Sequence, residues 1–529
     1  MIERARVAVA PAAALEEQAR TWGALSAAFP VDFVGWPADE AGPPHGVIAL
    51  GGGALGERAV AVPLLVLGAD RGAGSAAAAP RAVALTDAPE LDRRLRGVTL
   101  TPQEPQAGGA SLDAGDGAIV LATAGRDAVW TRRLAHAPVD HVAAPLFALG
   151  PDAPLRDALH GARGLSLLAM VSFLRAVAEP AGVVEPPVRA AILFDDPNLR
   201  RPTYGHIDFA ELVAHADAYN YHASMAMIPL DRLGAHGPTV RLFRERADRL
   251  SLAFHGNNHE KRELMQPADL DAALVLCGQA LRRIDAFQRA AGLPVSHVMT
   301  APHGMCAPST ARALGALPYD GLCAIHPLPW TEDPPADRPL AGWDPATFVE
   351  GCPVLPRVPL DWEADGLALR AFLGHPIVLY GHHDDVAGGL EPLAAAANAV
   401  NRMGDVEWTA LGTMAETNAR VHVSGTTAVV RPYANRLRLT LPADGATQVT
   451  VLAPSEGADA FAGWSLDGAT PVTEFGAPLP LPTDGPATLR LHSRFETPLA
   501  SIPSPRPRPW PAVRRVGTEL RDRLAPLRG

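Results

Sequence analysis

Lysine is almost missing from this 529-residue chain: Lys261 is the only one among 46 basic residues. Lysine-based catalysis is therefore not expected, and the bias reads as one of composition. Cysteine is scarce as well. Cys277, Cys306, Cys323 and Cys352 show no CxxC spacing and are too few for a disulfide framework, which fits a reducing compartment. Cys306 lies near His303 in sequence, but no third partner makes it a nucleophile. The opening residues lack an apolar leader core, and no stretch of about 18 uncharged apolar residues follows, so the expectation is a cytoplasmic protein with no membrane partner. Net positive charge is also lacking. A formal charge of -11 gives no general pull toward nucleic acid, which is not expected as a partner.

What is present describes a folded chain. Hydrophobic residues at 48% and charged residues at 19% are near the globular average, and the length suits about three domains. Residues 1–180 alternate short apolar runs with helical or loop segments, as an α/β accessory domain does, and end in an almost wholly apolar stretch, Leu165 to Val177, expected to be a buried helix. The proline-bearing stretch Glu179 to Pro187 marks a boundary. Residues 188–418 carry apolar runs at Ala190–Phe194, Ala223–Ile228, Leu250–Phe254, His297–Met299, Gly321–Ile325 and Pro376–Tyr380, several separated by helical stretches. That alternation implies a parallel sheet or barrel with its chemistry at the strand C-terminal ends. Residues 420–495 alternate β-branched and polar residues between glycines and prolines, as in a small β-sandwich. Residues 496–529 form a proline-rich basic tail, read as an extended linker with a short basic helix; docking of that helix on the acidic body is one reading, and a solvated end is the favoured one.

Gly51 to Gly56 satisfies GxGxxG, with Asp70 ending the next apolar run. Only Glu57 to Ala61 separates the glycines from that run at Val62, which leaves no room for a phosphate-facing helix, so these glycines are read as a tight turn.

Two segments carry chemistry. Ile192-Leu193-Phe194-Asp195-Asp196-Pro197-Asn198 places two carboxylates at the end of a buried strand. Adjacent strand residues face opposite sides, so one can bind a metal while the other handles protons; the alternative is a capped turn before Pro197. His255-Gly256-Asn257-Asn258-His259 follows another apolar run. On a helical turn its two imidazoles would face the same way and reach one cation. Together these give two histidines and a carboxylate, a facial set with open positions for water and substrate. A third segment, Tyr380-Gly381-His382-His383-Asp384-Asp385, brings a histidine pair after a late strand, either of which could protonate a leaving group.

From Ala190 to His383 these motifs resemble the polysaccharide deacetylase family, carbohydrate esterase family four, whose domain is an incomplete (β/α) barrel. The resemblance implies Asp195 as base, Asp196, His255 and His259 as ligands of one divalent ion, His382 or His383 as the general acid, and zinc as the metal. His382 is the preferred acid. The implied reaction is hydrolysis of an N-acyl bond, N-acetyl in the first instance, of an oligosaccharide or related small molecule. Three departures stand out, one of them an extra residue, Gly381, that leaves His382 and His383 competing for the acid position. Gly256 occupies the position where the family has serine or threonine, and the family's Arg-x-Pro-Tyr segment reads Thr300-Ala301-Pro302-His303, so the arginine that would orient the base is missing there and His303 replaces the aromatic.

Asn198, Tyr204, His206 and Asp208 follow the acidic pair in a loop that can line a substrate pocket, and Trp330, Asp361 and Trp362 offer stacking or orienting groups; His303 joins Asn198, Tyr204 and Trp362 as substrate-facing candidates. Two rivals are a carbohydrate-binding or scaffold protein that has lost activity with its arginine, and a non-haem iron oxygenase with the same ligand set.

Overall fold

Short apolar runs of the first 180 residues pair into a nine-stranded mixed sheet. The computed structural model describes residues 4–527 apart from 38–41, 52, 56–60, 69–80, 104–111, 113–114, 116, 151–152, 154, 160–163, 179–182, 185, 326–343, 441–445, 456, 483–484 and 507. Trp330, Asp70, Gly52 and Gly56 lie outside the described residues. The chain divides into two units, one of Met1–Val183 with Pro335–Trp343 and Ala364–Leu373, the other of Val184–Pro334, Asp344–Glu363 and Gly374–Gly529.

In the first unit, Ala5–Ala10 runs parallel to Val31–Gly35 and Gly46–Leu50, and Leu64–Leu67 continues the parallel half to Pro138–Val142. Antiparallel pairing then carries the sheet through Asp127–Leu134, Ala118–Ala124, Arg81–Leu85 and Thr99–Gln103. Helix Gly164–Ala178 is buried along most of its length, because leucine, methionine, valine and phenylalanine leave it no polar face to present to water. Gly51, at φ +98°, turns the chain after its strand, with the Ala54 amide donating to the Gly51 carbonyl.

The second unit is built on a closed parallel barrel of seven strands: β1 (Val188–Asp195), β2 (Ala223–Met227), β3 (Leu250–His255), β4 (Val298–Thr300), β5 (Gly321–Ile325), β6 (Cys352–Pro359) and β7 (Ile377–Gly381). Neighbours pair in sequence order from β2 round to β7, and β1 closes the ring by pairing with β7 on one side and, through Ile192–Asp195, with β2 on the other. Every residue of β1 is buried. That is why such strands read as continuous apolar runs: both faces of a parallel strand are covered. Helices α1 (Phe209–Tyr219), α2 (Gly237–Glu245), α3 (Leu270–Ala291), α4 (Pro308–Ala316) and α5 (Glu391–Asn401) accompany the strands. The interior is filled by small and medium side chains, Ala191, Leu193, Ala226, Ala253, Cys323 and Val378 among them. All strand C-termini therefore open at one end, where Asp195, His255, Thr300 and Gly381 are the last residues of their strands.

After the barrel, the strands from Ala419 to Ser493 form two sheets around a shared core that includes Val430, Leu437, Val449, Trp464 and Leu489. The final helix, α6 (Pro509–Leu524), is not a solvated end: Arg515, Glu519 and Asp522 are buried against the loops at the barrel mouth. Among the described residues no helix is long and apolar enough to cross a membrane.

Candidate metal centre

Asp195 is the last residue of β1, and Asp196 follows in a left-handed conformation, φ +82°. A carboxylate residue accepts that region only at a cost of order 1–3 kcal/mol, and such residues cluster at functional sites. The turn has a consequence that strand alternation does not foresee. Both carboxylates approach the same imidazole: His255 Nδ1 is 3.6 Å from Asp195 Oδ1, and His255 Nε2 is 3.8 Å from Asp196 Oδ1.

His255 and His259 do not share a helical turn. His255 ends β3, and Gly256 at φ +58° and His259 at φ +56° fold the intervening residues into a tight loop. The loop is held from inside by the buried Glu263 carboxylate, which accepts from the amides of Asn257 (2.8 Å), Asn258 (2.8 Å) and His259 (3.0 Å). Burial pushes the Glu263 carboxyl up, against the pull of those amides. From α3, Arg283 donates to the Asn257 and Asn258 side chains and Gln279 accepts from Asn257 Nδ2. The result sets His259 Nε2 3.3 Å from Asp196 Oδ1, with the His255 and His259 rings 4.9 Å apart.

Gly256 is required here by space as well as by φ. A Cβ at this position would stand 2.6 Å from Glu263 Oε2 and 2.6 Å from Pro302 Cγ. Gly256→Ser, which restores the residue type of the resembled motif, is therefore expected to push Glu263 off the loop amides and weaken binding of a divalent ion about 10–100-fold, the usual cost of losing an outer-shell support. Equilibrium dialysis with zinc checks this, and an unchanged affinity would refute the clamp.

Tautomers follow from the hydrogen bonds. Thr300 Oγ1 donates its one proton to the Phe254 carbonyl at 2.7 Å, so at 2.8 Å from His255 Nδ1 it can only accept. His255 Nε2 is thereby left as a lone pair facing Asp196. Burial pulls the His255 pKa down to about 4, more than the two carboxylates raise it, and burial also lowers that of His259. Both rings are neutral near pH 7, as metal ligands must be.

Asp195 is almost wholly buried with Arg357 of β6, whose Nη1 donates to Asp195 Oδ1 at 2.8 Å while Nη2 donates to the Ala301 carbonyl at 3.0 Å. Burial favours a protonated Asp195, but Arg357, with His255 and His382, outweighs it and holds the pKa at about 2. The arginine that the Thr300–His303 segment lacks is thus supplied from another strand. Sequence reading also missed Glu263 and Thr300.

The remaining candidates separate. His303, in a left-handed conformation at φ +58°, is exposed beside the site, its ring 5.9 Å from that of His259. His382 is exposed, its amide held by Asp385 Oδ2 at 2.7 Å, and its charge bears on Asp195. His383 is buried, its ring 5.8 Å from that of Tyr204 and 5.6 Å from that of His206. Asn198 and Tyr204 are buried and engaged by α6: Asn198 Oδ1 accepts from Arg523 at 3.1 Å, and the Tyr204 hydroxyl donates to Asp522 at 3.0 Å. Trp362 is exposed on the loop after β6. Helix α6 also reaches the backbone of two ligand candidates, Arg515 donating to the Asp196 carbonyl at 3.0 Å and Arg514 to that of His259, while Arg515 pairs with buried Asp231 at 2.7 Å.

No protein-family model matches the sequence, and no curated protein matches it either. Several solved structures resemble part of it. A presumed polysaccharide deacetylase from Mycobacterium smegmatis is 16% identical at a TM-score of 0.31, over 45% of this chain and 93% of that one. A family 4 acetyl xylan esterase from Clostridium thermocellum, solved with a cobalt ion, is 14% identical at a TM-score of 0.25, over 41% of this chain and 87% of that one. A lactam utilization protein from Thermus thermophilus is 15% identical at a TM-score of 0.25, over 43% of this chain and all of that one, 100%. Likeness this partial, shared among proteins with different activities, decides nothing about the reaction.

Proposed function

We propose that the chain is a metal-dependent hydrolase of deacetylase type, cleaving an N-acyl bond, N-acetyl in the first instance, of an oligosaccharide or related small molecule, with Asp196, His255 and His259 holding one zinc ion. One observation carries the reading. Asp196 Oδ1 is buried with no hydrogen-bond partner, and it faces the unprotonated Nε2 of His255 and the Nε2 of His259, three ligand atoms within 4.8 Å of one another. A buried carboxylate oxygen without a donor is costly, and a cation between these atoms removes the cost. Two imidazoles and one carboxylate suit zinc and leave positions open.

When bound, the ion acidifies a water and polarises the scissile carbonyl. Asp195, kept ionised by Arg357, accepts the water's proton. His382 delivers a proton to the departing amine. His303 and Trp362 face the substrate, whereas Asn198 and Tyr204 act through α6. The scaffold alternative lost its motive with Arg357, and the second carboxylate beside the ligand set favours hydrolysis over the oxygenase. The test is a zinc titration of the wild type and His255→Ala, paired with acetate release from N-acetylated oligosaccharides. The expected result is that His255→Ala loses one equivalent and all turnover; a variant that binds and turns over as the wild type does would sink the proposal.

A further inference from the structure

A second cluster with ligand chemistry lies outside those three side chains. His206 occupies the turn between the short strands Thr203–Tyr204 and Ile207–Asp208, and His383 and Asp384 follow β7. One nitrogen from each imidazole and one carboxylate oxygen all lie within 4.8 Å of one another. His383 Nδ1 is 3.2 Å from Asp384 Oδ1, and His206 Nε2 is 4.0 Å from the same oxygen. Ligand atoms about 2.1 Å from a tetrahedral ion stand about 3.4 Å apart, a spacing these two contacts bracket.

Proximity of an acid to two histidines is by itself common; the state of His383 is not. The residue is only 6% exposed, and its Nδ1 is buried with no hydrogen bond, since the contact to Asp384 lacks the geometry of one. On the other side of the ring, Nε2 is 3.8 Å from Oδ1 of Asp522, a buried carboxylate on α6. A carboxylate on the far side of the ring from the open nitrogen is the arrangement found behind metal-bound histidines, and an ion at Nδ1 would leave the ring's one proton on Nε2, toward Asp522. The neighbouring turn is shaped to admit this ring: a Cβ on Gly205, at φ +54°, would stand 2.3 Å from His383 Cγ.

We propose that His206, His383 and Asp384 form a second divalent-cation site, for zinc or cobalt by its two imidazoles and one carboxylate, separate in its ligands from the centre at Asp196. An ion there ties the Thr203–Asp208 hairpin to the turn that follows β7, the turn in which His382 stands. Asp384, 75% exposed, leaves the site open to solvent and its ion exchangeable.

Cobalt titration of the whole chain, followed by visible absorption and by metal analysis after desalting, tests this. The wild type is expected to take two equivalents, His255→Ala one, Asp384→Asn and His206→Ala one each, and His206→Ala/His255→Ala none. Asp384→Asn changes an exposed side chain without changing its size, so its loss of about tenfold or more in affinity for one equivalent is not a folding effect. A wild type whose whole uptake disappears in His255→Ala, or an Asp384→Asn and a His206→Ala that both bind as the wild type does, overturns the second site. Retention of one equivalent in His255→Ala that His206→Ala removes establishes it whether or not the chain hydrolyses anything.

Discussion

Asp195→Asn is expected to reduce acyl hydrolysis about 10²–10⁴-fold, the usual worth of a general base, while the metal content at Asp196, His255 and His259 stays at the wild-type level. Asparagine keeps the acceptor oxygen that Arg357 Nη1 reaches at 2.8 Å, so the hydrogen bond survives and only the charge is lost. The lost charge leaves a buried guanidinium without its counter-ion, so the variant will also be less stable, and turnover must be compared well below its unfolding temperature. Metal analysis and steady-state rates on one preparation separate the roles. Loss of metal along with activity would place Asp195 among the ligands, and retained activity would remove it from the chemistry.

How much of this site was legible in the sequence depended on whether a strand looked like one. Ala190–Phe194 and Leu252–Phe254 are unbroken apolar runs within their strands, because both faces of a barrel strand are covered, and the polar residue that ends each run, Asp195 or His255, announces the barrel mouth. Cys352–Pro359 is different: its sequence, Cys-Pro-Val-Leu-Pro-Arg-Val-Pro, has three prolines and a charge, the marks of a non-strand, although it pairs with β5 and β7. The unread strand holds Arg357, so the missing arginine and the missing strand are one omission. The loop after β3 misled for another reason. Histidines four apart suggest a helix, and nothing local reveals that Glu263, four residues beyond His259, will bind the amides of Asn257, Asn258 and His259 instead. The docking of helix α6, ranked below a solvated end, was obscured by reversed polarity. Its prolines sit at the first turn, where a missing amide costs nothing. Its charged residues Arg515, Glu519 and Asp522 turn inward, while Trp510, Val513, Val516 and Leu520 face out. Amphipathic reasoning applied to such a helix orients it backwards, because here ion pairs, and not apolar contacts, hold it to the barrel.

Arg357→Met should destabilise the barrel by about 3–5 kcal/mol, because removing one member of a buried pair leaves the other charge uncompensated. The change in pH dependence is more diagnostic than the loss itself. In the wild type the Asp195 pKa is about 2, below its ordinary 3.8, so the folded state binds the proton more weakly than the unfolded chain. The pair's contribution, of order 2 kcal/mol, is fully present above about pH 4 and is lost as the pH falls toward 2. Without Arg357, burial, the largest influence on this carboxyl, is opposed chiefly by His255 and His382, and the pKa moves up. Once it exceeds the unfolded value the sign inverts: as the pH falls from the raised pKa to about 4, acidification relieves the buried charge and steadies the fold, and between about pH 4 and 2, the range in which the wild type weakens, the variant's curve is flat. Hydrogen exchange of the β1 and β6 amides, in chelator and across that range, reads the barrel alone and avoids averaging over the other unit. Arg357→Met/Asp195→Leu, which removes both charges, is expected to recover much of the lost stability and to show neither slope. Parallel pH curves for the wild type and Arg357→Met would mean that the two side chains, close as they lie, are not electrostatically coupled, and Arg357 would lose its claim to keep the base ionised.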